Sequence, residues 1–131
     1  MKTQNGRRLL KLAAKAGEYS HFEYVENEYR DGRKVTGHYD PLFEVCINPL
    51  TDIADAMRLA IKIGFSVIQN KASGVCSVYL GDTFYSAVPY KDDPVAATCR
   101  AIVCAAARLT LQRATSGPAP KRAELKPTGE A

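Results

Sequence analysis

The chain has 131 residues, 46% of them hydrophobic and 24% charged, with a formal net charge of +4. Those values suit one globular domain and exclude a low-complexity chain or a two-domain protein. No apolar run reaches the length needed to span a membrane, and no long apolar stretch follows the basic N-terminus, so neither an anchor nor a secretory leader is expected.

Charge is unevenly placed. Residues 1–20 carry Lys2, Arg7, Arg8, Lys11 and Lys15 against Glu18. Residues 113–131 carry Arg113, Lys121, Arg122 and Lys126 against Glu124 and Glu130, whereas acids outnumber bases in between. Basic ends attract polyanions without sequence preference, and they also simply keep a protein soluble. Cys46, Cys76, Cys99 and Cys104 form no CxxC pair. Their irregular spacing suits neither a zinc site nor a disulfide framework, so they read as small buried hydrophobes.

Residues 7–16 predict a short helix. Leu9, Leu12, Ala13 and Ala16 recur at helical spacing with Arg8, Lys11 and Lys15 on the other side, and Gly17 is a natural stop. A helix this short persists only when docked. Residues 22–39 then change period. Asp31-Gly32 between extended arms is a strong hairpin signal. The arms carry many charges, so at least one face is wet, and the hairpin is expected to project from the sheet or extend it. Its tyrosines can anchor a partner or pack across the hairpin itself.

Asp40-Pro41 breaks the chain, and residues 42–47 read as a brief extended segment. A helix follows over 51–63. Thr51 is its expected N-cap, with Asn48 capping and Pro49 in the first position as the alternative register. Ile53, Met57, Ala60, Ile61 and Gly64 make its expected core stripe, and Gly64 also fits the residue just past the helix. Three strands come next, near 65–70, 74–80 and 83–89, and their connections are too short for crossovers. They predict an antiparallel meander whose middle strand is apolar on both faces and therefore covered by a helix on at least one. The last helix, 94–111, begins with Asp93 as cap and Pro94 in the first turn. Val95, Cys99, Ile102, Val103, Ala106 and Leu109 form its stripe, surrounded by alanines.

The fold class is thus α+β, with a small antiparallel sheet in an α-β-β-β-α core over 48–111. An N-terminal helix and a projecting β-hairpin complete a single domain over 1–112. Residues 113–131 read as a disordered basic tail rich in proline, glycine and alanine.

No catalytic constellation is apparent. His21 and His38 flank the hairpin and would approach each other, with Asp40 or Glu23 nearby, if its arms pair. Their spacing matches no ligand pattern, so no metal and no cofactor are expected. The acidic pairs Asp52/Asp55 and Asp92/Asp93 sit at helix starts, where capping accounts for them. Helix, three antiparallel strands, helix is also the topology of the double-stranded RNA-binding domain. That domain places basic residues before its last helix, where this chain has Lys91-Asp92-Asp93-Pro94.

At residues 48–59 (NPLTDIADAMRL) and 93–107 (DPVAATCRAIVCAAA) the chain resembles the phage ABA sandwich domain family of small bacteriophage proteins. The resemblance covers roughly 49–109. It implies helices on both faces of a small antiparallel sheet, no catalytic residues, and a phage accessory protein in the host cytoplasm that binds a host or phage partner. The function expected is accordingly non-enzymatic and works by protein–protein contact, with a homodimer as one form. Its partner-binding residues would be Tyr24, Tyr29, Arg33, Lys34 and Tyr39. The alternative is nucleic-acid binding through Arg7, Arg8, Lys11 and Lys15. No membrane partner is expected.

Overall fold

The computed structural model describes residues 2–19, 22–30, 32–40 and 45–116. Expectations for His21, Asp31 and the tail beyond 116 lie outside the described residues. Three helices and six strands follow in the order α1 (Lys2–Ala16), β1 (Glu23–Arg30), β2 (Arg33–Asp40), β3 (Val45–Ile47), α2 (Ile53–Ile63), β4 (Ser66–Asn70), β5 (Val75–Leu80), β6 (Thr83–Pro89) and α3 (Pro94–Ser116). The strands form two separate antiparallel sheets, β1-β2-β3 and β4-β5-β6, each with its middle strand in the centre. The class is therefore mixed α+β.

The hairpin does not project. It supplies two strands of a sheet of its own, because residues 45–47 pair with the end of β2 (His38 with Ile47, Asp40 with Val45). That third strand needs a close backbone approach at Gly37. A side chain there would overlap the carbonyl oxygen of Ile47, and the φ of +139° disfavours any L side chain. Opposite Gly37, Val25 is buried. A bulge follows it, in which Asn27 takes a positive φ of 53° and its amide donates to Thr36 Oγ1 at 2.9 Å.

The layers run from the first sheet through α1 and α3 to the second sheet. Leu10 and Ala14 of α1 meet His38 and Ile47 of the first sheet. On its other side α1 contributes Ala13 and Ala16 to a core shared with Ala56, Leu59 and Ala60 of α2, Cys76 and Val78 of β5, and most of α3. Alanine at so many contact positions lets helix axes approach closely while keeping helix propensity high. Gly17 serves the same purpose, since a Cβ there would lie 2.6 Å from Leu59 Cδ1.

Local capping signals mostly hold. Asp93 Oδ1 accepts from the Ala96 amide at 3.0 Å, with Pro94 next. Gly64 ends α2 in the left-handed region at φ 97°, its amide donating to Ala60 O. Two expectations need correction. The cap of α2 is Asp52, whose carboxylate accepts from the amides of Ala54 and Asp55, and not Thr51 or Asn48. Asn48 instead accepts from the Leu50 amide and donates to Thr36 O, tying α2's entry to the first sheet. The second correction is that α1 begins at Lys2 and α3 runs to Ser116, each longer than its amphipathic pattern, so α3 continues through the start of the expected tail.

The α2 core stripe is also rotated from expectation. Ala56, Leu59 and Ala60 are buried, whereas Ile53, Met57 and Ile61 are exposed, Ile61 at 74%. Helix α3 shows the opposite departure. Val95 is exposed, but most other positions from Ala97 to Leu109 are buried, because α1, α2, β5 and β6 all contact it. Contrary to the apolar-run expectation, Pro94–Ala114 is long and apolar enough to cross a membrane by length and composition; more than half of that window is buried inside the domain. A central core helix has the same composition.

Candidate functional site

The five residues expected to bind a partner do not share one surface. Tyr39 is buried, with the Arg30 guanidinium 5.2 Å from its ring centroid, so it cannot anchor a partner on the outside. Tyr24 is half-buried and faces its cross-strand neighbour His38 edge to face at 5.3 Å. Tyr29 is 70% exposed, but Lys34, paired with it across the strands, lies 5.8 Å from its ring. Tyr29 and Lys34 share one exposed face at the hairpin tip, while Arg33, paired with Arg30, lies on the opposite face. Packing across the hairpin thus accounts for Tyr24 and Tyr39.

The basic residues Arg7, Arg8, Lys11 and Lys15 of α1 do share one surface: with Leu12 they line an open depression of about 400 Å³, although two of them are also engaged by the first sheet. Arg7 Nε donates to Glu26 Oε1 at 2.9 Å. That bond and its charge raise the Arg7 pKa and lower that of Glu26. Lys11 lies 5.2 Å over the Tyr24 ring. Arg8 and Lys15 are exposed.

His38 is buried, and burial, aided by the charge of Lys11, pushes its pKa below the ordinary value. The imidazole sits between a tyrosine ring and an aliphatic floor, and no carboxylate among the described residues is hydrogen-bonded to it. Among the described residues no group of three or more His, Cys, Asp or Glu side chains could hold a metal ion. All four cysteines are free; Cys76 and Cys99 are buried, Cys46 and Cys104 partly so. Burial raises the pKa of each thiol.

Two other surfaces stand out, and neither was expected as a site. The first is the outer face of β4–β6. The inner face is tied to α3 by polar bonds, including Ser86 Oγ to Ala101 O at 2.6 Å and Tyr85 OH to Gln112 Oε1 at 2.6 Å. On the outer face, strand alternation and register place Ile68, Ser77 and Ala87 in one row and Ser66, Tyr79 and Phe84 in the next. Ile68 is 49% and Phe84 46% exposed, and the Tyr79 and Phe84 rings meet edge to face at 5.6 Å. The face has no charged residue. Helices therefore do not cover both faces of this sheet among the described residues, as the family resemblance would require. The apolar character of both faces of β5 was legible in the sequence; which face stays open was not.

The second surface is a groove between α1 and α3, lined by Arg8, Leu9, Leu12, Arg100, Cys104 and Leu111, with Ala107 and Arg108 completing it. The signal for it was the absence of any acidic residue from either helix.

Comparison with protein-family models, curated proteins and solved structures returned no match.

Proposed function

We propose that the protein is a non-enzymatic binding module that assembles as a homodimer through the open face of β4–β6 and meets a protein partner with its remaining surface. The observation that carries this reading is the uncharged outer face of that sheet, with Ile68 and Phe84 about half exposed. An apolar face left open on an otherwise well-packed domain is a docking surface or an aggregation liability. A two-fold interface sets a patch against itself. A charged patch would repel its own copy, and on a chain of net charge +4 this face carries no charge to do so. Sheets readily pack face to face with interdigitating side chains, and the Ile68, Tyr79 and Phe84 side chains suit that role. The partner's identity rests on the resemblance alone, which points to a host or phage protein in the infected cell's cytoplasm. The nucleic-acid reading is weaker, because Arg7 and Lys11 are engaged by Glu26 and Tyr24.

The test is the mass of the full chain in solution by sedimentation equilibrium across micromolar concentrations. The expected result is twice the chain mass, falling to one chain mass in Phe84→Lys and Ile68→Lys, with far-UV circular dichroism unchanged. A monomer throughout, or a dimer indifferent to both substitutions, overturns the reading.

A further inference from the structure

From the groove between α1 and α3 we infer a second binding site, for an acidic amphipathic helix of a partner protein. The inference concerns a different surface from the open sheet face and stands whether or not the chain dimerises.

The lining positions on α3 (100, 104, 107, 108 and 111) fall on one face of that helix. Across from them, Leu9 and Leu12 of α1 are only partly buried. Together with Cys104, Ala107 and the exposed Leu111 they form an apolar floor. The groove is open to solvent and holds about 380 Å³. Its cations are Arg8 on one wall and Arg100 and Arg108 on the other, all exposed. The ion pairs among the described residues join Arg7 to Glu26, Arg30 to Glu23 and Glu28, and Arg58 to Asp55. None uses the three groove arginines. Arg108 donates one Nη1 bond to Tyr85 O at 3.2 Å, which steadies the guanidinium and leaves its other donors available. No acid lines the groove, and neither Lys2–Ala16 nor Pro94–Ser116 contains one.

An apolar floor between arginines that have no acidic partner among the described residues selects for an occupant that brings both an oily stripe and carboxylates. A helix with apolar residues at i, i+3/i+4 and i+7 seats its stripe on such a floor. Aspartates or glutamates flanking that stripe then meet guanidinium groups suited to bidentate pairing. Nucleic acid fits less well. Its phosphates would use the arginines, but no aromatic side chain lines the groove to stack a base, and the leucines would gain nothing. The tail that follows α3 is itself basic and does not complement the groove.

The probe is a labelled Glu/Leu/Ala peptide about four helical turns long, with leucines in one stripe and glutamates beside it. Two peptides serve as controls, one with lysine in place of every glutamate and one with serine in place of every leucine; a DNA duplex is a third ligand. Binding to the full chain is followed by fluorescence anisotropy, and alkylation of Cys104 against Cys46 by mass spectrometry. The expected outcome is binding of the acidic peptide alone, with Cys104 protected and Cys46 unchanged. Affinity should fall about tenfold or more in Arg8→Ala/Arg100→Ala and be lost in Leu111→Asp. All three residues are exposed, so these variants keep the fold. Four results overturn the proposal: equal binding of the lysine or the serine peptide, no protection of Cys104, affinity unaffected by the arginine substitutions, or duplex DNA displacing the peptide at lower concentration than the peptide displaces itself.

Discussion

The rotation of α2 makes the sharpest test of how this fold is held together. Leu59 is 1% exposed and Ile61, two residues on, is 74% exposed. Both are large aliphatic residues in the middle of one helix. Truncating Leu59 to alanine removes buried methyl groups and leaves a cavity. The core it belongs to is rich in alanine (Ala13, Ala16, Ala56 and Ala60), and alanines have no rotamers with which to swing into the gap; Leu10, Tyr19 and Ile47 line the space on its other side. Collapse is therefore limited, and Leu59→Ala should cost about 3–5 kcal/mol, the upper part of the range for such changes. Ile61→Ala should stay within about 0.5 kcal/mol of the parent, and its helix propensity even improves. For a chain of this length the Leu59 change corresponds to a loss of roughly 10–20 °C in melting temperature. The assay is urea unfolding followed by far-UV circular dichroism, comparing midpoints at unchanged slope. Repeating it at low and high protein concentration separates folding from self-association. An Ile61→Ala cost equal to or above that of Leu59→Ala would mean that the other stripe faces the core, and the packing described above would be wrong.

Asp52→Ala should destabilise by about 1 kcal/mol through loss of its bonds to the amides of Ala54 and Asp55, while Thr51→Ala changes little; equal losses in thermal melts would return the cap to Thr51. The buried His38 has a depressed pKa in the folded state, chiefly from burial. Above its unfolded pKa of about 6.5 both states hold a neutral imidazole, and stability is complete. As pH falls from there toward the folded value the unfolded chain binds the extra proton, so stability falls across that window. Urea midpoints measured from about pH 7.5 down to 5.5 should decline, and His38→Gln should flatten the decline; an unaltered slope in that variant would remove His38 as the cause.

Local chemistry carried most of the element boundaries. Asp93-Pro94 opening α3, Gly64 closing α2 and the Gly81-Asp82 turn between β5 and β6 are each settled within a few residues. A cap or a turn depends on φ/ψ preference and on bonds to the nearest amides, and these are written in adjacent letters. The candidate surfaces were far less legible. Tyr39 looked like an anchor because tyrosines recur along the hairpin, but β3 pairs beside it and the side chain is buried. Three residues of β3, following an unpromising break at Asp40-Pro41, turned a projecting hairpin into a second sheet.

From residue order alone came the α+β class, the antiparallel meander, and the helix and strand positions to within a few residues. Which side of each element faces inward came from assembly. Apolar residues surround α2 on almost every side, and β5 is apolar on both faces, so helical and strand periods offer more than one solution. The choice is made by what packs against them: α3, with few bulky side chains, draws Leu59 and the inner face of β5 toward itself and leaves Ile61, Ile68 and Phe84 outside. The groove arises in the same way, since Arg8 and Arg100 are 92 positions apart and meet only because α1 lies along α3.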